Sequence, residues 1–182
     1  MPSADVFALI VSITMHKFAL PPVIENSSKI LILGSMPGDQ SIAKQQYYGN
    51  KGNHFWKIMF IIFGESYTIS YEERMALLKS NQIALWNVLA SCTREGSSDA
   101  KIKNEAVNDF AHFHILYPNI KHIFFESKTA ALLYRKHVIQ HPDIIYHTLP
   151  STSGLNAGIS FAQKIEMWKA LAIESQCFKQ QI

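Results

Sequence analysis

Four short apolar runs, Lys29 to Leu33, Ile83 to Trp86, Lys121 to Phe125 and Ile144 to Leu149, alternate with segments patterned as helices. Runs this short, bounded by turn residues, read as strands rather than as buried helices. Parallel strands need crossover connections, and helical crossovers cover both faces of the sheet they join. The expected fold is therefore α/β, a three-layer α/β/α sandwich around a four-stranded parallel sheet.

The helices carry local start and stop signals. Asn53 stands ahead of a helix from His54 to Phe63, and Gly64 follows where left-handed backbone is wanted. Ser70 with Glu73 and Ser160 with Gln163 have the spacing of capping boxes, for helices reaching about Lys79 and about Ile173. Asn108 opens a short helix, and Ser127 caps another from Thr129 to Val138.

At 182 residues, with no linker, repeat or low-complexity stretch, the chain reads as one domain against a prior of about 150 residues per domain. Hydrophobic residues at 48% and charged residues at 17% exclude a disordered chain. The net charge of +3 permits a polyanionic partner without demanding one. Cys92 and Cys177 form neither a zinc motif nor a disulfide framework, so a reducing, cytoplasmic compartment is expected. Val6 to Met15 is apolar but shorter than the roughly 20 residues that span a bilayer, and Asp5 stands where a leader would be basic. Residues 1–14 are expected to be an N-terminal extension or to precede a true start at Met15, with 15–182 as the domain.

In open parallel sheets ligands bind beyond the carboxyl ends of the strands. Here those ends are Gly34 to Asn53, Asn87 to Asn104, Glu126 to Thr129 and Pro150 to Gly158. The first contains neither GxxxxGK[ST] nor GxGxxG, which disfavours a nucleotide-phosphate cradle. It offers the backbone amides of Gly34-Ser35-Met36-Pro37-Gly38, the amide Asn53, and two rings, Tyr47 and Tyr48, one of which is expected to pack inward. A ring on such a loop can stack a nucleobase for about 1–3 kcal/mol. The last loop combines the hydroxyls of Ser151, Thr152 and Ser153 with Gly154 and an apolar tip, Leu155, a set that can hold phosphates and wedge a base stack. Asn87 carries both a donor and an acceptor suited to a base edge, and Arg94 is expected to meet a phosphate. Each feature also has a plain reading, as a βα turn, a cap or a surface loop. Asp39 suits a general base or a turn. His112 and His114 have metal-compatible spacing but no third ligand nearby, so no metal is expected.

The order GSMPG, YYGNKGNHFW, LWNVLASCTREGSSD and LPSTSGLNA resembles the uracil-DNA glycosylase superfamily, most closely its hypoxanthine-DNA glycosylase branch, over about Phe18 to Trp168. The resemblance implies an α/β/α fold and a monofunctional base-excision enzyme; N-glycosidic hydrolysis requires no metal or organic cofactor, and a monomer is expected. That enzyme flips a deaminated base out of DNA and hydrolyses its N-glycosidic bond. It makes Gly34 to Gly38 the motif that positions water and contacts the flipped nucleotide, with Ser35 and Met36 at its centre. Many relatives carry Asp or Asn where Met36 stands, so Asn53 becomes the candidate for holding the nucleophile. Tyr48 falls at the base-stacking position, Asn87 near the base-reading one, and Ser151 to Leu155 in the segment that pinches the backbone and enters the duplex. Glu126-Ser127 departs from the Asn-Gly frequent in that branch. Uracil or mismatch excision, nucleoside processing and non-catalytic binding of damaged DNA are the alternatives.

Overall fold

Alternate residues of Ile30–Gly34 (β2) bury against opposite helical layers, which is why the whole strand is apolar. The computed structural model describes residues 15–180; the expectations for residues 1–14 lie outside them. A short strand, His16–Phe18 (β1), precedes β2, and the helices Asp39–Lys44 (α1), Phe55–Ile62 (α2) and Tyr71–Ser80 (α3) follow it. Next come the strands Ile83–Asn87 (β3), Leu89–Thr93 (β4) and Lys103–Val107 (β5), then the helix Phe110–Leu116 (α4). His122–Phe125 (β6), Lys128–His137 (α5), Ile145–Thr148 (β7) and Phe161–Lys179 (α6) complete the chain.

The strands β3, β2, β6 and β7 form a four-stranded parallel sheet in that order. Ile30, Ile32, Ile83, Leu85 and Phe124 pack on one face with Phe55, Ile58, Leu78, Trp168 and Leu171 from α2, α3 and α6. Leu31, Leu33, Ala84, Ile123 and Phe125 pack on the other with Phe110, Phe113, Ala130 and Tyr134 from α4 and α5. This is the three-layer sandwich expected from the alternation of strands and helices.

A second sheet was not anticipated. Beyond Asn87, where a connection at the carboxyl end of a strand is expected, lie β4 and β5; β4 pairs antiparallel with both β1 and β5. The final helix also runs past Ile173 to Lys179, because Ser175 Oγ donates to the carbonyl of Asn81 at 2.9 Å and Phe178 packs against the core. The cap at Ser127 and the capping box at Ser160 form as expected and Gly64 adopts φ +71°, whereas Ser70 accepts from the Glu73 amide without the return bond, and Asp109 rather than Asn108 caps α4. No helix among the described residues is long and apolar enough to cross a membrane.

Candidate active site

Three parallel strands end level with one another, and their last residues set the floor of a cavity. Gly34 is in register with Asn87, while the Glu126 amide donates to the Leu33 carbonyl at 2.9 Å, bringing Glu126 alongside Gly34. All three share the strand parity of Ile32, Leu85 and Phe124, so they face the α2 layer. Gly34 has no side chain, and a Cβ there would stand 3.0 Å from Asn87 Nδ2 and 3.9 Å from the Tyr48 hydroxyl. The bare position leaves a gap between an amide and a carboxyl.

Above this floor lies a cavity of about 880 Å³ lined by the first loop, Asn53, Asp99, Glu126 and the Ser151 to Leu155 loop. Asn87 is 4% exposed, and its Oδ1 is buried without a partner among the described residues. Tyr48 lines the cavity with φ at +53°, a conformation uncommon outside glycine, and its ring stacks on Phe55 with centroids 3.6 Å apart. Burial raises its phenol pKa well above the ordinary value, so the ring is neutral. Tyr47 is the inward ring; its hydroxyl donates to the Pro21 carbonyl at 3.0 Å, and its own carbonyl accepts from Trp56 Nε1.

Asn53 sits at the entrance to α2, where Oδ1 accepts from the Phe55 amide at 2.8 Å and the Asn53 amide donates to the Asn50 carbonyl. That pins the side chain while leaving Nδ2 and a second lone pair of Oδ1 for the cavity. Ser35 Oγ donates to Asp99, so its hydroxyl is committed to a carboxylate rather than facing substrate alone. Met36 touches the cavity while its side chain packs in the α4–α5 core, and a thioether there has no group that could orient water.

Two expectations about DNA contact are overturned. Arg94 is 0% exposed: it donates to the Pro37 carbonyl and stands 3.6 Å from Asp99 and 4.0 Å from Asp39, beneath the first loop and out of reach of a phosphate. Thr152 is buried as well, with its amide and hydroxyl both 2.8 Å from Glu126 Oε1, to which Ser151 Oγ also donates at 3.2 Å. Those two hydroxyls hold a carboxyl instead of a phosphodiester. Ser153 Oγ caps the Leu155 amide, Gly154 meets Gly52, and the Leu155 side chain is 95% exposed at the rim.

The scan against family models matches the description "Uracil DNA glycosylase superfamily" over residues 21–172. A hypoxanthine DNA glycosylase of Methanosarcina acetivorans is 39% identical over 158 residues, covering 86% of this chain and 98% of the relative. The chain belongs to this superfamily. A hypoxanthine DNA glycosylase of Methanosarcina barkeri is 47% identical over 115 residues, 63% of this chain and 73% of the relative. A candidate uracil DNA glycosylase from Methanosarcina acetivorans, solved by solution NMR, aligns with TM-score 0.71 and 37% identity over 87% of this chain and 99% of that one. As a superfamily member the chain is a DNA glycosylase, a hydrolase whose partner is DNA.

The half-buried Asp99 and the buried Lys164 escaped the motif reading, and Glu126 entered it only as a departure from Asn-Gly. Asp99 lines the cavity from the β4–β5 connection; burial raises its pKa, opposed by the Ser35 hydrogen bond and Arg94. Glu126 is raised chiefly by burial, against its hydrogen bonds to Thr152 and Ser151. Lys164 of α6 donates to the carbonyls of Ser153 and Asn156 at 3.1 and 3.0 Å, tying the last loop to the helix. Asp39 pairs with Lys17 at the cavity edge. At the opposite end of the sheet, His122 Nδ1 lies 3.1 Å from His147 Nε2, and its Nε2 lies 3.6 Å from Glu174, so the trio uses both ring nitrogens of His122 in a chain.

Proposed function

We propose that this glycosylase removes hypoxanthine from deoxyinosine in DNA, as a monomeric, monofunctional enzyme that needs no metal or organic cofactor. The observation that carries the reading is the buried Asn87, whose Oδ1 has no partner among the described residues and whose Nδ2 overhangs the Gly34 floor. Such an amide accepts from N1–H and donates to O6, the pair that deamination of adenine creates. The names of both curated relatives support the same base.

In this reading the nucleotide leaves the stack at a cost of a few kcal/mol, less at a mispair, and Leu155 enters the gap. The base stacks on Tyr48. Asn53 holds a water through the free lone pair of its fixed carbonyl, aimed at C1′. As the C1′–N9 bond breaks, its electron pair stays with the base, the water oxygen bonds to C1′, and that water gives up one proton to solvent. The rate comes from positioning and from donors already oriented, including the backbone amides around Ser35 and Gly38.

A panel of duplexes carrying hypoxanthine, uracil, xanthine or normal bases tests the reading, with chelator present. Hypoxanthine should give alkali-labile abasic product fastest. Asn53→Ala should keep duplex binding and slow excision by about 10²-fold or more. Faster release of uracil would assign the site to the alternative base, and binding without abasic product would make the chain a binding module.

A further inference from the structure

Asn87 accounts for one side of the cavity floor, but the carboxyl on the other side has no assigned task. In the register of β3, β2 and β6, Asn87 and Glu126 flank Gly34 with one strand between them, about 10 Å apart at two strand spacings. Glu126 is 9% exposed, and its three donors, the Ser151 hydroxyl and the Thr152 amide and hydroxyl, all converge on Oε1. Oε2 has no hydrogen-bond partner among the described residues, and the side chain lines the cavity. One oxygen saturated as an acceptor and the other open is the arrangement of a carboxylic acid whose hydroxyl is free to donate.

The charges around it agree. Arg94, the cation beneath the first loop, lies 3.6 Å from Asp99 and serves that carboxyl. Lys164 of α6 is buried outside the cavity lining, with its ammonium hydrogen-bonded to two carbonyls. Tyr48 across the cavity is a neutral phenol. Three carboxyls line the cavity: Asp39 pairs with Lys17 and Asp99 with Arg94, whereas Glu126 has no ion-pair partner among the described residues and is better kept protonated. Burial and the charge of Asp99 both push the Glu126 pKa upward.

We propose that Glu126, as the acid, donates from Oε2 to N7 of a flipped purine and passes its proton there as the base departs. The assignment rests on the hypoxanthine reading above. With O6 over the bare Gly34 position and N1–H toward Asn87, the ring places N7 on the Glu126 side. The C1′–N9 bond breaks with its electron pair retained by the base, and N7 takes the proton, so hypoxanthine leaves neutral. Water bonds to C1′ and releases one proton to solvent, from which Glu126 is recharged. A pyrimidine presents C–H where N7 would be. Glu126 therefore makes purines the substrate class, whereas Asn87 alone would accept uracil as well.

Single-turnover excision from duplexes containing deoxyinosine or 7-deaza-2′-deoxyinosine tests this across pH 5 to 9. Loss of N7 should slow the wild type by about 100-fold or more, within the usual reach of general acid catalysis. The wild-type rate on deoxyinosine should fall on the alkaline side as one group titrates. Glu126→Gln, which keeps the hydrogen bonds, should lose about 100-fold on deoxyinosine and show no such limb. A 7-deaza rate within about tenfold of deoxyinosine, or an alkaline limb that persists in Glu126→Gln, overturns the assignment. If that variant does not fold, the two wild-type measurements decide alone. Intact deoxyinosine with the wild type overturns the hypoxanthine reading itself, a result distinct from normal excision that ignores N7.

Discussion

A Cβ on Gly154 would stand 2.5 Å from the carbonyl oxygen of Gly52, so two loops from opposite ends of the chain meet backbone to backbone over the cavity. The His54 amide reinforces the seam by donating to the Thr152 carbonyl at 2.9 Å. Gly154→Ala must part the loops, since neither side of the contact is a flexible side chain. We expect a loss of about 1–3 kcal/mol in urea unfolding, as for overpacked sites, and excision weakened beyond that. Wild-type stability and rate in the variant would refute the contact.

Arg94 supports the first loop from below rather than touching DNA. Arg94→Met takes the cation from Asp99, whose side chain is 29% exposed, and losing a charged partner at a half-buried carboxyl costs about 1.5–3 kcal/mol. The melting temperature should drop accordingly. The dependence of duplex affinity on salt, measured well below that temperature, should keep its slope, whereas loss of a phosphate contact would reduce it by about 1.

What could be read from the sequence was what is decided locally. Ser127, Ser160 and Gly64 act within one turn of their own helix, and the strands β2, β3 and β6 are apolar because helices cover both faces. The strands β4 and β5 escaped because LASCT and KNEAV are strands only through partners elsewhere; β4 pairs with β1, which lies more than seventy residues earlier. The candidate site divides in the same way. Asn53, Tyr48 and Asn87 sit on motifs and do line the cavity or its floor, whereas the burial of Arg94, Glu126 and Lys164 shows in no local pattern. Only the tertiary fold buries them, and no spacing rule signals it.

The histidine chain at the far end of the sheet gives a pH dependence to stability. Burial lowers the pKa of His122 and of His147 below the ordinary 6.5, with Glu174 opposing the shift and His122 adding to it for His147. Above 6.5 both are neutral whether folded or not, so they confer no pH dependence. As pH falls through 6.5 the unfolded chain takes up protons that the folded chain refuses, and stability is lost until the folded pKa values are passed. Thermal unfolding from pH 7.5 to 5.5 should show this decline. His147→Phe, which keeps a ring stacked on Phe124, should make it shallower; an unchanged slope would remove His147 from the effect.

Leu155 is 95% exposed, so truncating it should cost the fold nothing measurable. Its place at the rim, on the loop that Lys164 fastens to α6, suits an apolar group that fills the space left by a flipped nucleotide. That space exists in a stacked duplex and much less in a flexible single strand. Leu155→Ala should therefore slow excision from duplex DNA by about tenfold, of the order of losing one apolar contact in a stack, while sparing single-stranded substrate. Paired single-turnover assays on the two substrates separate this from a general defect. An equal loss on both would mean that Leu155 acts through the loop, and no loss on either would deny it a part in base extrusion.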